Sequence, residues 1–134
     1  MKSETKNEIE FHEPIEVYAL VDKNKEDLKH SASGGAFMVF ARPIIKQGGV
    51  VFGCVLEDDG TCYHKSATTL EGLRPMQGSK YVRSSVRNTF EECLQALKEN
   101  KQVLYSGTQC QFEYLSKHNL ISSSFIKLLR INNG

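Results

Sequence analysis

The chain has 134 residues, 40% hydrophobic and 25% charged, which is ordinary for a globular domain and unlike a disordered chain. Lys plus Arg number 17 and Asp plus Glu 16, and a formal net charge of +1 gives no global pull toward nucleic acid or an anionic membrane. No apolar run approaches the roughly 20 residues that span a bilayer, and the polar N-terminus lacks a signal-peptide core, so a cytoplasmic location is the expectation.

Residues 1–14 carry few periodic apolar positions and read as a flexible lead-in ending at Pro14. Glu16 to Val21 is rich in strand formers and predicts a first strand. Asp22 to His30 is charged and reads as a loop or a short exposed helix. Ser31 or Ser33 can cap a helix through the apolar run from Ala36, and that run is apolar nearly all round, predicting burial. Pro43 predicts a kink or break near Val39 to Arg42, and Gln47-Gly48-Gly49 ends the helix.

Val50 to Leu56 fits a strand covered on both faces. Asp59-Gly60 is hairpin-turn chemistry, and Thr61 to Ser66 reads as the returning strand. Thr68 or Thr69 can cap a short helix stopped by Gly72 and Pro75. Residues 77–84 show neither period. Ser84 or Ser85 then caps a helix with an apolar stripe at Val86, Phe90, Cys93, Leu94 and Leu97, stopped at Asn100. Gln102 to Ser106 predicts a strand, Gln109 to His118 a helix, and the tail Ser122 to Ile131 one more strand. There is no internal repeat.

Three loops carry residues suited to chemistry. Ser31-Ala32-Ser33-Gly34-Gly35 opens a helix, where free amides and the dipole suit an anion; the alternative is a capped, closely packed helix start. In the 78–84 loop, Lys80 and Arg83 can pair with phosphate and Tyr81 can stack on a ring; the alternative is a surface loop. Ser106 to Gln111 sits at the carboxyl end of a strand, where open α/β sheets bind ligands. Cys110 there is a metal or cluster ligand with partners from elsewhere, a redox thiol, or a buried small residue. Cys54, Cys62, Cys93 and Cys110 form no CxxC pair, so a self-contained zinc or iron–sulfur site is not expected and four reduced thiols are. His64 and His30 are candidate proton carriers, against the commoner role of surface or satisfied core histidine. His12 and His118 give no signal, and residues 58–60 form a turn rather than a calcium loop.

Taken in order, SASGGAF, QGGVVFG, GSKYVRS and VLYSGTQCQ resemble the N-terminal flavin-associated region of the coenzyme F(420) hydrogenase/dehydrogenase beta-subunit family, over roughly Val17 to Lys117. Ser33, Gly34 and Gly35 match the family's serine–glycine motif, and Gly78, Ser79, Lys80 and Tyr81 its GSKY loop. Gly107, Thr108, Cys110 and Gln111 match its GTPCQ motif, with Gln109 where proline is usual. The resemblance implies an oxidoreductase that passes electrons between a reduced partner, FAD and a deazaflavin-type or other acceptor. It further implies a 4Fe-4S cluster and a redox partner subunit or ferredoxin-like domain, with no nucleic acid and no membrane span.

The resemblance implies that Ser33 to Gly35 approach a pyrophosphate, that Lys80 neutralises phosphate charge, that Tyr81 flanks a ring, and that Gly107 and Thr108 admit the cofactor. It divides the chain into the lead-in at 1–14, a partial flavin-associated domain at 15–121 and a divergent tail at 122–134. The family's upstream cysteine run and later segments have no counterpart here, so a truncated or frame-shifted product is the simplest expectation, with the cluster absent from this chain. The expected fold is α/β (or α+β): a mixed sheet of four to five strands, about three helices, a hairpin at 50–66, and 102–106 central beside the first two strands. The three loops should meet at one end of the sheet. The competing readings are a non-catalytic remnant or interaction module needing a partner, and a nucleotide-binding transferase-like domain.

Overall fold

The structure, a computed structural model, describes residues 16–31, 34–117 and 126–130. Ser33, the lead-in at 1–14, His12 and His118 therefore lie outside the described residues, as does the end of the tail at 131–134. The order is α1 (Lys25–Lys29), α2 (Ala36–Lys46), β1 (Val50–Leu56), β2 (Cys62–Ala67), α3 (Leu70–Leu73) and a 3-10 turn (Arg74–Met76). Then follow α4 (Thr89–Lys98), β3 (Val103–Gly107), α5 (Gln109–Lys117) and β4 (Ile126–Arg130). The strands form a mixed sheet in the order β2-β1-β3-β4. β1 and β2 make the expected antiparallel hairpin, whereas β1–β3 and β3–β4 are parallel. This is the α/β class expected, with β3 interior and the tail supplying an edge strand.

Alternation along the strands splits the core in two. Val51, Val55, Ala67 and Leu104 face α2 and the 3-10 turn, packing with Met38, Ala41, Ile44, Leu73 and Met76. Val50, Phe52, Val103 and Tyr105 face the other way, onto Cys93, Ala96 and Leu115 of α4 and α5. Helices on both faces explain why β1 and β3 read as continuous apolar runs.

Several local expectations fail for physical reasons. Glu16 to Val21 is not a strand: Val17 and Tyr18 are 80% and 76% exposed, and among the described residues no strand pairs with this segment. Strand propensity expresses fit to a half-buried pleated surface, and this segment has none to fit. β3 consequently takes β4, not residues 16–21, as its second neighbour.

Pro43 does not break α2. It removes one hydrogen bond. Its ring is exposed, Gln47 N still reaches Pro43 O at 3.1 Å, and buried Met38, Ala41 and Ile44 hold the helix down. That helix buries one stripe rather than its whole circumference, since Phe40 is exposed. Its cap is Gly35, with φ +75°, instead of a serine hydroxyl; Ser31 Oγ donates to Asp27 O at 2.7 Å. Neither Ser84 nor Ser85 caps α4, which starts later, after Asn88. Phe90, Cys93 and Leu97 of the expected stripe pack on the core, joined by Thr89 and Ala96, while Leu94 is exposed. Thr69 does cap α3, accepting from Gly72 N at 3.1 Å. Asn100 stops α4 with φ +59°.

Candidate functional site

Gly34 and Gly35 belong to a structural junction. Asp22 N donates to Gly34 O at 2.7 Å, and a Cβ on Gly34 would stand 2.3 Å from Leu20 O. The Asp22 side chain is buried and bound by both Arg42 terminal nitrogens, at 2.6 and 2.8 Å. Arg42 also reaches Asp27 at 2.5 Å. The Arg42 guanidinium holds the Asp22 carboxyl below its ordinary range, outweighing burial, with the Asn24 amide helping. This fork ties the incoming chain and α1 to α2. The space that glycine leaves at 34 is filled by protein backbone.

The other two loops meet in a cleft of about 1010 Å³. One wall is the 78–86 loop and the other is the β3–α5 junction with Gly107, Thr108, Cys110 and Gln111. Cys54, Cys62, His64 and Ser106 of the sheet contribute to its lining. Gly34 and Gly35 do not line it, so Gly78 to Tyr81 and Gly107 to Gln111 come together without them. Among the described residues the lining contains Lys80 and Arg83 and no carboxylate.

The Lys80 loop is anchored at both ends. Gln77 Nε2 donates to Asp27 O and to Ser31 Oγ, each at 3.2 Å. Ser85 exchanges backbone bonds with β2: His64 N to Ser85 O at 2.8 Å and Ser85 N to Cys62 O at 3.1 Å. Between these anchors Gly78 turns with φ +82°, Lys80 is half-buried, and Tyr81 is 81% exposed. Lys80 Nζ donates to Gln77 O at 2.5 Å and Gly78 O at 3.3 Å. Burial pushes its pKa down, and among the described residues no carboxylate pairs with it.

At the opposite wall, Thr108 N donates to Gln111 Oε1 at 2.9 Å, closing the first turn of α5. A Cβ on Gly107 would lie 2.4 Å from that oxygen, so Gly107 makes room for Gln111. Cys110 is exposed and free. Among the described residues no group of three His, Cys, Asp or Glu is placed to hold a metal ion, so Cys110 finds no co-ligands there.

Sequence reasoning named His64 as a candidate proton carrier but missed Cys54, Cys62, Phe90 and Tyr114 in the lining. His64 is buried, with Nε2 2.9 Å from Ser106 O and Nδ1 2.7 Å from Ser84 Oγ. A carbonyl only accepts, so Nε2 carries the proton and Nδ1 accepts from the Ser84 hydroxyl. Burial lowers the His64 pKa, and the ring stacks on Tyr105 at 5.5 Å. Thr89 Oγ1 donates to Val86 O at 2.6 Å and stands 3.0 Å from Tyr105 Oη, which therefore donates to Thr89. Burial pushes Tyr105 up to about 12. The period of two along β2, which sends Cys62 and His64 to one face, was the signal available.

No family model matches the chain, and no curated protein does. Among solved structures, the chain is similar to a chain of the F420-reducing [NiFe] hydrogenase complex from Methanosarcina barkeri, with 19% identity and a TM-score of 0.63. The match covers 78% of this chain and 37% of that one. At this identity the likeness is one of fold. No helix among the described residues is long and apolar enough to cross a membrane.

Proposed function

We propose that the cleft binds an anionic planar redox cofactor of the FAD type, and that the chain is the flavin-associated part of a cytoplasmic iron–sulfur oxidoreductase resembling the coenzyme F(420) hydrogenase/dehydrogenase beta subunits. The observation that carries this is the charge of the cleft: two cations, no carboxylate, and a volume of about 1010 Å³. Lys80 is half-buried without a carboxylate partner among the described residues and Arg83 is exposed beside it, a pairing that favours a ligand bringing its own negative charge.

The residues fit such a ligand on the 78–83 side. Lys80 and Arg83 neutralise phosphate, and Tyr81 offers a ring face for stacking. The α5 start adds its positive dipole end. Gly34 and Gly35 have no part in this version, because protein atoms occupy the space their missing side chains leave. When bound, a flavin supplies the two-electron chemistry, and the chain supplies position and charge. For a 4Fe-4S cluster the described residues place no group of three ligands together, so partners for Cys110 would come from a redox partner subunit or ferredoxin-like domain. The fold neighbour is a chain of a hydrogenase complex, which supports the redox reading and a partner, as does the earlier motif resemblance.

The test is an absorbance spectrum of the purified chain after adding FAD and removing the excess. Retained flavin, released by raised salt, is expected. A folded, colourless chain would overturn the reading. It would favour the second one, a non-catalytic module that needs a partner, to which the exposed Val17, Tyr18 and Val21 point.

A further inference from the structure

Cys54 and Cys62 lie on the two strands of the hairpin. In its register Cys54 faces His64 and Leu56 faces Cys62, so the two thiols are diagonal neighbours on one face. Their sulfurs are 3.0 Å apart and unbonded. A disulfide is about 2.05 Å long, so closing the gap takes roughly 1 Å of movement. The two strands run into an exposed turn at residues 57–60, the end of the hairpin nearest both thiols. Both residues line the same cleft as Lys80. The remaining cysteines are differently placed: Cys93 is sealed in the core and Cys110 stands alone on α5.

We propose that Cys54 and Cys62 form a two-electron dithiol–disulfide centre at the cleft floor, oxidised by low-molecular-weight disulfides that carry carboxylates. One thiol, as thiolate, attacks a sulfur of the incoming disulfide, forming a mixed disulfide and releasing one small thiolate, which takes up the proton lost by the attacker. The second cysteine then attacks the protein-side sulfur, forming the Cys54–Cys62 bond and releasing the second small thiol with its proton. The protein loses two protons and two electrons, and the small disulfide gains them. Lys80 and Arg83 complement the carboxylates of such an oxidant, in a cleft that has none of its own. Burial pushes the Cys54 thiol up to about 11, against the pull of Ser84 and Lys80, so Cys54 is stored protonated. This centre does not depend on flavin binding.

The test incubates the native chain with glutathione disulfide, blocks remaining thiols, and maps every cysteine by peptide mass. The expected result is a Cys54–Cys62 cross-link, with the loss of two hydrogens from the intact mass. Cys54→Ser should instead hold glutathione on Cys62, and Cys62→Ser should hold it on Cys54. The proposal is overturned if Cys110 takes up glutathione while Cys54 and Cys62 stay reduced. It is equally overturned if both carry separate glutathione adducts with no cross-link.

Discussion

The loops around Gly34 and Gly78 read alike in the sequence, each a Ser/Gly cluster beside a helix or strand, yet they end in opposite situations. At Gly34 the protein closes over its own glycine: Leu20 O fills the space, and the Asp22–Arg42 fork locks the segment. At Gly78 nothing but His30 O comes within 4 Å of a Cβ, and the following Lys80 borders an open cleft. A glycine cluster therefore signals close approach without saying whether a ligand or the protein itself approaches. The neighbouring charges decide it: a buried carboxylate answers Arg42, and among the described residues none answers Lys80.

The sharpest break of this comparison is Arg42→Ala. It strands the Asp22 carboxylate in a buried setting and should cost about 3 kcal/mol or more, read as a lower midpoint in urea denaturation. Gly34→Ala comes next, at roughly 2 kcal/mol, because its methyl would collide with backbone. Gly78→Ala meets only the left-handed backbone strain, roughly 1 kcal/mol, and thermal melts of the pair should rank them in that order. Lys80→Met should leave the melting temperature level or raise it, since it removes a buried charge. It should weaken FAD binding about tenfold, roughly 1.4 kcal/mol, in a fluorescence titration.

The smallest effect is in acid. The His64 pKa is held below its ordinary 6.5, so the unfolded chain takes the proton first. The stability this provides is complete above about pH 6.5 and is lost as pH falls toward the folded-state value. His64→Gln should flatten that part of the curve of stability against pH.

Much of the fold was legible because the signals were local and strong. The hairpin followed from the Asp59-Gly60 turn between apolar Val50–Leu56 and the returning strand, and β3 from its unbroken apolar run. Residues 16–21 misled because their composition carries no information on whether a partner strand exists. Pro43 misled because the cost of one hydrogen bond was weighed without the packing of Met38, Ala41 and Ile44. Of the cleft, Lys80 and Gly107 to Gln111 were visible as loop motifs. The meeting of His64, Ser84 and Ser106 was not: they join across 20 and 42 residues of chain, and only the folded register brings them together.

The short bridge between Ser85 and β2 has a consequence beyond the cleft. β2 is an edge of the sheet, and an open edge is a template on which another chain can add a strand. Ser85 occupies part of that edge, Arg87 clamps down with its guanidinium 3.5 Å from the Tyr63 ring centre, and the backbone turns away there with φ +47°. The segment that walls the cleft is thus also a guard against self-association. Substitutions that detach it, such as Ser85→Pro, should reveal themselves by light scattering as well as by lost ligand.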